Sequence, residues 1–339
     1  MAEATFMPDR LRVARELKMW NQNELARHVS MTPAAVGQFE SGSTRPAEDT
    51  ITRLAEALEV PVGFLTSEIL ETHEGFFRAT RRTPVKQRRR ARALAHIAHD
   101  LARSCKSDEL PPVNFLQAAP DIEAERDAIE EIAADVRRAW GVPPGPIEDV
   151  VALMEQHGIV VTRLPLDTGD VDAFSLPFHD RPVVVLGADK DDRARSRFDA
   201  AHELGHLVMH NERVWGLKAV EDQAHWFAAA FLMPRADIIQ DLPSKADWQA
   251  LFKLKQHWQV SLAALLMRAK TLETMDPASY LAAIKAASAR GWRRREPVPL
   301  GHPEQPRLLP RLITQDRRRD ACQDLPQQVV NDILRANAA

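Results

Sequence analysis

The chain has 339 residues, 45% hydrophobic, 27% charged and 6% aromatic, with 13 Gly against 23 Pro, which excludes collagen-like and low-complexity classes and leaves room for two or three domains. A formal net charge of -3 excludes a protein that is basic throughout and binds nucleic acid by bulk charge, while leaving room for a local basic surface. No apolar run reaches the roughly 18 to 20 residues needed to cross a bilayer, and the opening MAEATFMPDRLR lacks the apolar stretch of a signal peptide; a cytoplasmic protein with no membrane partner is expected. Cys105 and Cys322 make neither a disulfide framework nor a C-x-x-C half-site.

Residues 1–70 read as an all-α bundle. Leu11, Val13 and Leu17 pattern a first helix, and Glu24-Leu25-Ala26-Arg27 opens a second. After a turn at Ser30-Met31 a third begins, with Thr32 as N-cap and Pro33 at the first helical position. This is a helix-turn-helix layout, in which the second helix of the pair enters the DNA major groove. The stretch from Gln22 to Leu58, with Ala26 at the inter-helix position, Phe39-Glu40-Ser41-Gly42 and Pro46, resembles the XRE (phage Cro-like) DNA-binding family. The resemblance implies double-stranded operator DNA as partner, with Gln22, Thr32, Ala34, Ala35 and Gln38 facing it and Arg45 placed for a phosphate. Charge alone does not point there, since residues 1–65 carry seven bases and nine acids. A bundle that docks a protein is the alternative, and a homodimer would double the DNA contacts.

Residues 71–120 are expected to be a basic helical connector. Between residues 78 and 92, Arg78, Arg81, Arg82, Lys86, Arg88, Arg89, Arg90 and Arg92 occur without one acid, as a solvated helix face or as a phosphate-contacting segment. The helical pattern breaks at Pro111-Pro112. From Asp121 an acidic amphipathic stretch carries Ile129, Ile132, Val136 and Trp140 at helical spacing and ends at Gly141. A helix over 147–156 follows, then three β-like runs at 159–164, 171–176 and 182–186. Further helices are expected at 195–210, 221–232, 248–258 and 261–272. Residues 121–300 thus read as a mostly helical α+β domain with a small sheet. Residues 301–339 are Arg/Pro-rich and expected to pack loosely up to a short helix near 327–337.

The sharpest feature is His202-Glu203-Leu204-Gly205-His206. Residues four apart on a helix share a face, so both imidazoles can reach one tetrahedral metal ion, while Glu203 is offset to act on a water. Chance would supply about 0.03 such matches in a chain of this composition. Phe198, Ala201, Leu204, Leu207 and Val208 give the helix its apolar side. His210 lies two turns from His202, about 12 Å along the axis, too far to share an ion with both histidines, and reads as supporting or structural. A catalytic zinc needs a third protein ligand. Glu221, opening the next helix, is the best candidate, with Asp222 and His225 behind it; His225 equally suits donation to an oxyanion. Small Ala224 and Ala228 would let the two helices approach.

The run Arg195-x-Arg197-Phe198-x-x-Ala201-His202-Glu203-Leu204-Gly205-His206-x-x-x-His210, followed by Glu221-x-x-Ala224-x-x-Phe227-Ala228-x-x-x-Leu232-Met233-Pro234, resembles the ImmA/IrrE family of bacterial metallo-endopeptidases. The likeness extends from Trp140-Gly141 and Pro146-Ile147 through Trp258-x-Val260-Ser261-x-x-Ala264-Leu265 to Gly291-Trp292-Arg293, about residues 121 to 300. It implies a zincin-like, gluzincin-type fold with Zn2+ held by His202, His206 and Glu221, and Glu203 as general base. It also implies cleavage of a regulatory protein, a transcriptional repressor, in a stress or mobile-element response. His225 departs from the more usual Asn or Asp. A regulator whose peptidase-like domain only senses a ligand or metal is the other reading, and the intact general base argues against it.

Overall fold

The computed structural model describes residues 5–70, 76–77, 84–104, 110–165, 172–189, 191–210, 217–314 and 322–337. In chain order the helices are α1 (Pro8–Leu17), α2 (Gln22–His28), α3 (Pro33–Glu40), α4 (Glu48–Leu58), α5 (Val62–Thr66) and α6 (Val85–Arg103). They continue with α7 (Arg126–Ala139), α8 (Val150–Gln156), α9 (Arg193–Met209), α10 (Lys218–Leu232), α11 (Arg235–Ile238), α12 (Trp248–Trp258), α13 (Leu262–Thr271), α14 (Pro277–Ala289), α15 (Leu308–Thr314) and α16 (Gln327–Ala336). The strands are β1 (Phe76–Phe77), β2 (Val160–Leu164), β3 (Ala173–Leu176) and β4 (Val183–Gly187). By packing the chain forms two compact units, one of residues 1–113, 158–189 and 305–339, the other of 114–157 and 190–304.

In the first unit, α1 to α5 close over Leu11, Leu25, Val36, Leu54 and Phe64, all fully buried. Local chemistry sets the helix starts. The Asn21 side chain accepts from the Glu24 amide at 2.8 Å while the Glu24 carboxylate accepts from the Asn21 amide, a capping box. The Thr32 hydroxyl accepts from the Ala35 amide at 3.2 Å, and Pro33 follows at N1.

The expected basic connector is largely α6, and Ala91 to Ala102 is core along most of its length. Buried Arg10 of α1 forks onto buried Asp100 of α6 and donates to the Ser67 carbonyl at 3.2 Å. Arg78, Arg81 and Arg82 lie outside the described residues.

The sheet has strand order β1-β3-β4-β2, with β2 parallel to β4 and the other pairs antiparallel. The three expected runs form strands and β1 adds a fourth, for which two residues gave no alternating pattern. β2 is an edge, and an edge strand leaves backbone groups open. Here the Asn337 side chain, at the end of α16, accepts from the Arg163 amide at 2.7 Å and donates to the Arg163 carbonyl at 3.1 Å, as a neighbouring strand would. The tail is therefore not loosely packed as its Arg/Pro content suggested: Leu309 of α15 and Ile333 of α16 are fully buried. A few large apolar residues outweigh that composition. In the second unit, α10 packs against both α7 and α9; α14 had no separate expectation because its Ala-rich sequence has little apolar periodicity.

Inside the first unit, His96 and His99 of α6 flank Phe178, His99 stacking at 3.8 Å and His96 edge-on at 5.0 Å. Burial pushes the His96 imidazole down to about 3, and Arg92, Arg10 and His99 push the same way. Burial also lowers His99, against the pull of Asp180 hydrogen-bonded at 2.7 Å. A folded value below the unfolded one means the unfolded chain binds the proton first. Stability from His96 is complete above pH 6.5 and drains as pH falls towards 3, by about 1.4 kcal/mol per pH unit. Thermal denaturation between pH 7 and 4 should show this loss, with a shallower slope in His96→Leu.

Candidate functional site

The site grows from the crossing of α9 and α10. Asp192 caps α9 by accepting from the Arg195 amide at 3.0 Å, and His202, Glu203 and His206 all lie on that helix, 1% exposed. α10 presents Glu221 in its first turn and His225 one turn later. Ala224 and Ala228 are fully buried, as their small size led us to expect. Gly205 also faces this crossing: a Cβ there would stand 2.9 Å from the Phe227 ring.

This crossing brings together most of the expected donors. His202 Nε2 and His206 Nε2 are 3.1 Å apart, and the Glu221 carboxylate lies 3.5 Å from the first and 3.7 Å from the second. Ligands about 2.0–2.1 Å from a tetrahedral metal are separated by about 3.3 Å, so this trio fits a divalent ion. A second, looser trio of His202, Glu221 and His225 has its donor atoms within 4.8 Å, and we favour the tighter one on geometry. Asp222, a runner-up on sequence, belongs to neither. Burial, with His202 next, holds His206 far below its ordinary range, keeping it neutral, the ligating form. His225 Nδ1 must donate to the Glu221 carbonyl, 2.8 Å away, because a carbonyl can only accept. Its ring stands edge-on to His202 at 4.6 Å.

Polar groups hidden in the core hold this crossing. His210 bridges His206 Nδ1, at 2.9 Å, and the Gln223 side-chain oxygen, at 3.0 Å. Arg137 of α7 donates to the Phe231 carbonyl at 2.8 Å and Arg268 of α13 to the Met233 carbonyl at 3.0 Å, neutralising the carbonyl end of α10. Arg197, on α9 itself, pairs with Glu304 and donates to the Ile147 carbonyl at 2.6 Å. The signal was present as cations on otherwise apolar faces: Arg137 follows Ala133 by four and Arg268 follows Leu265 by three.

In the first unit Gln22, Thr32, Ala34, Gln38 and Arg45 are exposed and Ala35 is half-buried, so the expected reading face is open to solvent. The Gln22 side chain is oriented by donating to Glu40 at 2.8 Å, and Glu40 is itself paired with buried Arg15. Part of the basic run is taken up nearby, Lys86 by Glu24 at 2.8 Å and Arg89 by Glu16 at 3.8 Å.

A helix-turn-helix bundle and a two-helix His/Glu donor cluster on one chain define a DNA-binding protein with a metallopeptidase-type domain. Family models agree in detail. Residues 11–65 match the helix-turn-helix model, of XRE type, and residues 154–270 match the IrrE N-terminal-like domain of peptidase family M78. The chain therefore carries an ImmA/IrrE-type domain behind an XRE-type reader. No curated protein matches the chain, and no helix among the described residues is long and apolar enough to cross a membrane.

An exposed helical Gly→Ala change stabilises by about 1 kcal/mol. Gly205→Ala should instead cost about 1–3 kcal/mol by overpacking against Phe227 and weaken divalent-metal uptake, as read by urea denaturation and metal analysis.

Proposed function

We propose that this is a DNA-binding, zinc-dependent endopeptidase that cleaves a regulatory protein, a transcriptional repressor. The observation that carries the reading is the trio of His202, His206 and Glu221 at tetrahedral-edge spacing, with Glu203 next to a ligand on the same buried helix. His202, His206 and Glu221 would hold the ion, which would supply Lewis-acid polarisation of a scissile carbonyl and acidify a water for attack near neutral pH. Glu203 takes the proton from that water and returns it to the departing amide nitrogen. His225, its Nδ1 hydrogen committed to the Glu221 carbonyl, offers a bare Nε2 to the ion when neutral and donates from Nε2 to the reacting carbonyl only as the imidazolium. The reader bundle brings the enzyme to an operator, where such a substrate is concentrated.

The purified chain should bind about one zinc, lost in His202→Ala. Glu203→Gln should keep the metal and lose cleavage of repressors encoded near it by at least about a hundredfold; full cleavage by this variant would overturn the mechanism. His225→Ala that keeps zinc but cleaves slowly would assign His225 to the reacting carbonyl, whereas loss of zinc would make it a ligand.

Gln38→Ala should weaken binding to a duplex selected from a random library by about tenfold, with zinc content unchanged. Unaltered DNA binding would return the bundle to the protein-docking reading.

A further inference from the structure

We infer that Gln223 is a positioning residue that fixes which nitrogen of His206 carries its proton, acting through His210. The inference deepens the metal reading above and rests on it.

Backbone groups whose roles cannot change anchor the relay. The Gln223 side-chain nitrogen lies 2.9 Å from the Asp121 carbonyl and 3.3 Å from the Ile122 carbonyl. Both oxygens only accept, so the amide orientation is settled and its oxygen faces His210. That oxygen is 3.0 Å from His210 Nε2, which must therefore be the protonated nitrogen. A hydrogen bond between two ring nitrogens needs one donor and one acceptor, and with its hydrogen on Nε2 the His210 ring offers Nδ1 as the acceptor. This Nδ1 is 2.9 Å from His206 Nδ1, so the His206 proton sits on Nδ1. Neutral His206 then keeps its lone pair on Nε2, the nitrogen beside His202 Nε2 and Glu221, as ligation requires.

Each link removes one choice, so two backbone carbonyls just ahead of α7 determine the tautomer of a ligand on α9. Groups that orient a ligating histidine in this way typically change metal affinity by about 10–100-fold when removed. The relay gives work to His210, which the spacing on α9 keeps from the ion, and to Gln223, 2% exposed on the buried face of α10.

The test uses the full-length chain, labelled with nitrogen-15 in histidine and stripped of metal. Long-range proton–nitrogen NMR should find His206 protonated on Nδ1 and His210 on Nε2. In Gln223→Leu the two rings should populate mixed tautomers, and zinc affinity, measured by competition with a chromophoric chelator, should fall about 10–100-fold with helix content unchanged. A His206 proton on Nε2 in the wild type, or wild-type zinc affinity in a folded Gln223→Leu, would overturn the inference. If Gln223→Leu does not fold, the wild-type tautomers alone decide. Should the wild type take up no zinc through His202, the metal reading fails, and the tautomers still report on the relay.

Discussion

The close passage of α10 over α9 at Gly205 is the constraint on which the candidate centre depends. Two histidines one turn apart can share a face on any helix, but the third donor comes from another helix. Its carboxylate reaches them only because no Cβ stands between Gly205 and Phe227. The same closeness buries His206 and keeps it neutral. A tight crossing in a folded core also strands polar groups, and the molecule answers with three buried arginines. Arg137 and Arg268 satisfy carbonyls at the end of α10, while Arg197 joins α9 to the loops around Ile147 and Glu304. Such buried ions contribute little net stability, and what they do here is satisfy carbonyls that the packed helices would otherwise leave bare.

The first unit follows the same logic with a different purpose. The bundle that carries the reading face is joined to α6 through the buried Arg10–Asp100 pair, and α6 in turn contacts β2, β4, α15 and α16. The reader is thus part of a larger packed body. Acids of the bundle partly neutralise the cations of α6, which explains how a strongly basic segment and a mildly acidic bundle coexist in a chain of nearly balanced charge.

Much of this was legible in the sequence because it is local. Helix caps at Thr32 and Ser261, the turn before Pro33 and the one-turn spacing of His202 and His206 depend on neighbours within four residues. The short β1, the helix α15, the burial of the tail and the partners of the buried arginines were not legible, because each depends on groups far away in the chain. The last helix, by contrast, was expected near 327–337 and is found at Gln327–Ala336. Asn337 completes an edge strand some 174 residues distant, and nothing in its own neighbourhood announces that.

The sequence by itself determined the two kinds of domain and the placing of His202 and His206 on one helix face, since short-range spacing and capping decide those. Only the tertiary structure decided which acid of α10 lies beside them, that Gly205 sits against the Phe227 ring, and that His210 links His206 to Gln223. Those outcomes depend on the distance between two helix axes and on which buried polar groups can pair, and neither quantity is written in any short stretch of chain.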